Sequence, residues 1–172
     1  MGSIVATVAL GVLAIVGGLF MEKNSQVTHP AAPQSTVTVV AATSTKPFPD
    51  SSYKHARVTI GGEAFDALVS DTDTLREEGL SDRNGLSQGQ AMLFVFDKPD
   101  LLGFWMKDMH FSIDMLWLDS NFRVVSFKED ATPESYPKVF FPSGPSRYVV
   151  ELPAGTLTRL GIKAGDLVSV SL

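Results

Sequence analysis

The stretch Ile4–Met21 constrains this chain more than any other. It reads IVATVALGVLAIVGGLFM, eighteen apolar or small residues with no charge, proline or amide. At helical rise such a run reaches about 27 Å, close to the ~30 Å hydrocarbon thickness of a bilayer. A helix packed on a soluble core keeps a polar stripe, and this run has none. A cleavable export signal has a basic leader, a shorter apolar run and small residues at a cut site close behind. Here no Lys or Arg precedes the run, and Glu22-Lys23-Asn24 follows it. Residues 1–21 are therefore expected to be a retained transmembrane helix, with a cleaved signal as the competing reading. The lipid bilayer is the first expected partner.

Direction across the membrane is weakly encoded, because Glu22 and Lys23 cancel. Large C-terminal domains translocate largely regardless of charge. The expectation is a single-pass membrane protein with an extracytoplasmic C-terminal domain. Lipidation does not compete: Ala6 stands where a myristoylation signal requires Ser or Thr. No cysteine is present to be acylated.

Residues 22–53 are rich in Ser, Thr, Ala and Pro, with Pro30, Pro33, Pro47 and Pro49 among them. Such a composition buries too little surface to offset its ordering entropy, and it reads as a flexible linker. Residues 54–172 then form one globular β domain. Arg57–Ile60 and Phe65–Val69 flank Gly61-Gly62, a pair that admits the positive φ values of a tight hairpin. Ala91–Phe96, Phe104–Met109, Ile113–Leu118, Phe122–Phe127, Tyr148–Leu152 and Leu167–Ser171 read as further strands. Short helices are expected at Thr74–Glu78, capped by Thr74 and Glu77 and stopped by Gly79, and at Thr156–Leu160 before Gly161. The fold class is mainly β: a single antiparallel sandwich or barrel-like domain with two short helices.

Lys and Arg number 14 against 19 Asp and Glu, a net charge of −5, and no basic cluster interleaves with aromatics. Nucleic acid is not an expected partner. The absence of cysteine excludes disulfides and thiolate-held metals.

Several ordered blocks resemble one family. They are Arg76-x-x-Gly79-Leu80-x-x-Arg83, Met92-Leu93-Phe94-Val95-Phe96, Phe104-Trp105-Met106-Lys107 and Asp114. Arg147–Gly155 (RYVVELPAG) and Gly161-Ile162-x-x-Gly165-Asp166 continue the series. Together they are similar to the uncharacterised family known as domain of unknown function 192, over nearly all of 57–172. The resemblance implies a mainly β, sandwich-like domain, often behind an N-terminal export or membrane segment, and implies no activity. Three departures from the family's pattern stand out. Ala91 replaces a Gly, Asp108-Met109 replaces Asn-Thr, and Ser112 replaces a Pro. Met109 cannot supply the hydroxyl, and an ionised Asp108 only accepts hydrogen bonds.

Trp105, Lys107, Asp108, His110 and Asp114 form the densest polar stretch. Read as one strand, 104–110 would put Met106, Asp108 and His110 on one face and Trp105, Lys107 and Met109 on the other. The expected ligand-binding residues are Arg76, Arg83, Trp105, Lys107, Asp108 and Asp114. Trp105 offers a flat face to sugars or other planar groups, Lys107 a donor, and the arginines two guanidiniums for a carboxylate or sulfate. The competing role for the arginines is internal pairing that pins the helix and turn to the sheet. A metal held by Asp108, His110 and Asp114 lacks a second histidine at ligand spacing, so no metal or cofactor is expected. Hydrolysis through Asp108, Asp114 and His110 is the enzymatic alternative, and no catalytic residue is assigned. A purely structural module contacting envelope proteins is the third reading. The expected partners of the domain are a small molecule, a carbohydrate or an envelope protein.

Overall fold

The computed structural model describes residues 50–171, so the apolar run and most of the linker lie outside the described residues. Among the described residues no helix is long and apolar enough to cross a membrane.

The first strands of the described residues form the expected hairpin. β1 (Lys54–Ile60) and β2 (Glu63–Ser70) pair antiparallel around Gly61 and Gly62, whose φ values are +56° and +85°. The next step departs from the expectation. Residues 71–89, which include the helix α1 (Asp73–Glu78), carry the chain across so that β3 (Gln90–Asp100) runs parallel to β2. A parallel neighbour requires such a crossover, whereas a short turn makes only antiparallel pairs. β4 (Ile113–Leu118), β5 (Val124–Ala131) and β6 (Ser146–Pro153) follow, with β6 inserted antiparallel between β3 and β4. The helix α2 (Thr156–Leu160) and the short β7 (Ser169–Ser171) complete the chain. The result is one mixed sheet in the order β5-β4-β6-β3-β2-β1-β7, not an antiparallel sandwich and not a closed barrel. Its two edges approach at the isolated Arg123–Leu167 bridge, beside which Val124 of β5 exchanges backbone hydrogen bonds with Gly165 and Asp166.

Both faces of the sheet are covered. One buries Val58, Phe65, Leu93, Leu116, Val150 and Leu152 against Leu157 and Ile162 around α2. The other buries Leu68, Met92, Phe94, Met115, Trp117 and Val149 beneath Leu80, Met106, Met109 and Phe140. Every residue of β4 is buried as a consequence. Trp117 is 1% exposed, a burial worth about 2–3 kcal/mol. Its indole N–H donates to the Leu102 carbonyl at 2.8 Å, fastening the 101–112 segment over this face.

That segment corrects a second expectation, because Phe104–Met109 is not a strand. Phe104 exchanges backbone hydrogen bonds with Phe140 as an isolated bridge, and the chain then turns. Met106 and Met109 both point into the core, with the Met109 N–H on the Met106 carbonyl at 3.4 Å. Two-residue alternation therefore fails here. Asp108 has φ +56°, a left-handed conformation that Asp and Asn tolerate better than other side chains. This accounts for Asp at a position where the resemblance implies Asn, while Met109 serves as core packing.

Candidate functional site

Two walls stand over the Met92–Phe94 region and enclose a cleft of about 750 Å³. The first wall is α1 and the turn after it. Thr72, not Thr74, caps the helix, because its extended backbone leaves the hydroxyl free to accept the Leu75 N–H at 3.2 Å. Gly79 ends it at φ +51° and ψ −133°, where a Cβ would sit 3.4 Å from the Phe94 ring. Glycine is needed for that close, left-handed exit, which buries Leu80 and Arg83.

The second wall is 103–109. The Phe104 ring packs edge-on to Phe94 at 4.8 Å and Trp117 at 6.2 Å. With Phe104 inside, Trp105 is turned outward, half exposed, edge-on to Tyr136 at 5.9 Å. The walls are stitched at one end: the Asp82 N–H donates to the Asp108 carbonyl at 3.0 Å and the Ser81 hydroxyl to the Lys107 carbonyl at 3.1 Å.

The structure brings four of the six expected residues to this cleft and leaves two outside it. Arg76, Trp105, Lys107 and Asp108 line it. Arg76 is largely committed: it donates to the Val95 carbonyl at 2.7 Å and to Asp73 at 2.6 Å, over the Phe96 ring. Lys107 is half exposed, 6.0 Å from the Trp105 ring centre and 4.0 Å from Asp108. Arg83 is 1% exposed and outside the lining, with its guanidinium on Asp50 at 3.2 Å and 5.6 Å from the centre of the Tyr53 ring. Its pairing is internal, but its partner is Asp50 ahead of β1 and not Asp114 or Asp82.

Asp114 is fully buried on the far side of the sheet from the cleft floor. Oδ1 accepts the amides of Asp130 at 2.9 Å and Gly155 at 3.2 Å, and Oδ2 accepts that of Leu157 at 2.8 Å. It ties β5 and the start of α2 to β4. His110 is exposed, 3.9 Å from Asp82. Asp108, His110 and Asp114 are thus not gathered into one place. Among the described residues no three His, Asp or Glu side chains are grouped to hold a metal.

Glu151, which lies within the family-like block but received no role from the sequence, forms part of the cleft's floor. On β6 it faces Met92 of β3 and Met115 of β4. It is 4% exposed, and its Oε2 has no hydrogen-bond partner. Burial alone pushes its pKa from 4.5 up to about 8, so the carboxyl is mostly protonated at neutral pH. The signal that could have found it is the ionisable residue inside the apolar run Tyr148–Leu152, in a strand with both faces covered.

The cleft is acidic. Asp73, Glu77, Glu78, Asp82 and Asp108 join Glu151 against only Arg76 and Lys107.

A model of the family DUF192, described as "Uncharacterized ACR", matches residues 56–170. A UPF0127 protein of Thermococcus gammatolerans is 37% identical over 81 residues, 46% of this chain and 50% of the relative. A UPF0127 protein of Thermococcus kodakarensis is 39% identical over 57 residues, 33% of this chain and 34% of the relative. The chain therefore spans half or less of the length of these curated relatives. Two crystal structures share the fold. One is of a "putative transcription regulator" from Sinorhizobium meliloti, with TM-score 0.63 and 31% identity, covering 69% of this chain and 95% of that one. The other is a Novosphingobium aromaticivorans protein of unknown function, with TM-score 0.62 and 28% identity, covering 68% of this chain and 84% of that one.

Proposed function

This chain belongs to the DUF192 family, whose activity is uncharacterised, and we propose that its folded domain is a binding module that takes a small polar ligand, such as a sugar, into the cleft between α1 and the 103–109 segment. The observation that carries the reading is the pairing of an outward-turned Trp105 on one wall with a buried, unpartnered carboxyl of Glu151 on the floor. An exposed indole offers a ligand a broad flat surface. Small-molecule sites combine such apolar walls with a few converging polar groups.

The charge balance narrows the ligand. Arg76 is engaged by the protein's own acceptors and Arg83 lies outside the lining, so carboxylates and sulfates find little to bind them. Carboxylates accept hydrogen bonds, which suits hydroxyl- or amine-bearing ligands. The hydrolytic alternative gains no support, since Asp114 is committed to three backbone amides. The apolar run Ile4–Met21 supports placing the module at a membrane, with the domain outside the cytoplasm. Full-length protein should stay with the membrane pellet under alkaline carbonate extraction, and release into the supernatant refutes the anchor.

Trp105 itself reports on the cleft. Only two tryptophans are present and Trp117 is 1% exposed, so a cleft ligand should change Trp105 emission. Titration of the full chain in mild detergent with glucose and glucosamine is expected to give a saturable change. Trp105→Ala should abolish that change and weaken binding, measured by calorimetry, about tenfold. Unaltered affinity in Trp105→Ala would remove the cleft from consideration.

A further inference from the structure

We propose that the floor of the cleft is an ammonium-binding subsite, in which the Glu151 carboxylate pairs with an amine carried by the ligand, so that the cleft selects amine-bearing ligands over their hydroxyl counterparts. The proposal rests on the cleft reading above and assigns its ligand class.

Glu151 is more than nine-tenths buried, lines the cleft and leaves Oε2 without a partner. A buried polar group in that condition costs free energy unless something outside the chain satisfies it. No side chain of the domain forms an ion pair with Glu151 among the described residues. Arg76 is held by Val95 and Asp73, and Lys107 lies at the exposed rim beside Asp108. The sheet neighbours Met92 and Met115 bring no charge.

Three kinds of ligand group could meet this carboxyl. An anion is repelled by the surrounding acids: Asp73, Glu77 and Glu78 on α1, Asp82 beyond it, and Asp108 opposite. A hydroxyl makes one neutral hydrogen bond. An ammonium gains a charge-assisted bond, and the same acids concentrate cations in the cleft. Trp105, half exposed in the lining, is an aromatic ring of the kind that also favours a cation. All these features act in one direction.

The test compares glucosamine with glucose, which differ by an ammonium in place of one hydroxyl, and with N-acetylglucosamine, which keeps the nitrogen without its charge. On the full chain in detergent, calorimetry at pH 7 should show glucosamine binding about tenfold or more tighter than the other two. In Glu151→Gln the three should converge.

A second readout needs no variant. Glu151 holds its proton at pH 7 because burial pushes its pKa up to about 8, and pairing with an ammonium expels it. Binding enthalpies in phosphate and Tris buffers should therefore differ through a net proton release with glucosamine, the roughly 0.9 proton lost by Glu151 less the fraction its amine takes up to bind as ammonium, and by none for glucose. If Glu151→Gln fails to fold, proton release in the native protein decides alone. Trp105-dependent binding of all three sugars with equal affinity and no proton release overturns the ammonium subsite and leaves the cleft reading standing. The absence of any binding up to about 10 mM overturns both.

Discussion

Replacing Glu151 by Gln should stabilise the domain at neutral pH and alter the shape of its pH dependence. In the unfolded chain this carboxyl titrates near 4.5, and in the folded domain burial holds the proton until about pH 8. Between those values the unfolded state binds fewer protons than the native state, so stability falls as pH rises. The contribution is fully present below pH 4.5, declines by about 1.4 kcal/mol per unit, and levels off above pH 8. The accumulated loss is about 3 kcal/mol at pH 7 and about 5 kcal/mol at the plateau. Gln has nearly the same shape and carries no titratable proton. The two proteins should therefore agree within about 1 kcal/mol at pH 4 and diverge steadily above it, with Gln the more stable. Urea unfolding of both full-length chains in the same detergent, at pH steps from 4 to 9, measures the difference directly. All other titrating groups are shared and largely cancel. A difference that stays flat between pH 5 and pH 8 would show that the carboxyl ionises in place without penalty, and the reasoning would fail.

The other substitutions separate scaffold from cleft. Asp114→Asn removes a charge that accepts three backbone amides and turns an NH₂ group toward at least one of them. It should lower stability by about 2–4 kcal/mol, seen as an earlier urea midpoint. Arg83→Met breaks the pair with Asp50 and should cost about 2–4 kcal/mol. Because that guanidinium is outside the cleft lining, the ratio of glucosamine to glucose affinity should be unchanged below the melting transition. A changed ratio would place Arg83 in the site after all.

Much of the fold was legible from local chemistry. The Gly61-Gly62 turn, the wholly buried β4 and the short α2 ending at Gly161 each occur where pattern and turn residues place them. The sheet's topology was harder to read, because strand direction depends on what lies between strands. The helix between β2 and β3 is legible from its own residues, but the parallel pairing it permits depends on where β3 docks, which no local pattern contains. The 103–109 segment misled for the opposite reason. Its alternation of large and polar residues imitates a strand. The turn at Met106–Met109 and the left-handed Asp108 arise from tertiary fastening by Trp117 and Phe140, which no local window contains.

The cleft divides along the same line. Trp105, Lys107 and Asp108 could be found because polar and aromatic residues crowded into one short stretch are conspicuous, and that stretch is a wall. Arg83 and Asp114 were equally conspicuous and belong to the scaffold: a charge drawn into a core by exact hydrogen bonding resembles a site residue until its partners are known. Glu151 was inconspicuous, one acid in a greasy strand. Yet its position is the more telling, because Arg83 and Asp114 have partners inside the domain while the Glu151 Oε2 has none. A buried carboxyl whose Oε2 receives no internal hydrogen bond conflicts with the apolar and hydrogen-bonded residues around it on β6. Such local conflicts are concentrated where a protein meets something other than itself. The glutamate between Met92 and Met115 is thus the strongest physical reason to treat this cleft as a binding site and not as an incidental gap between two walls.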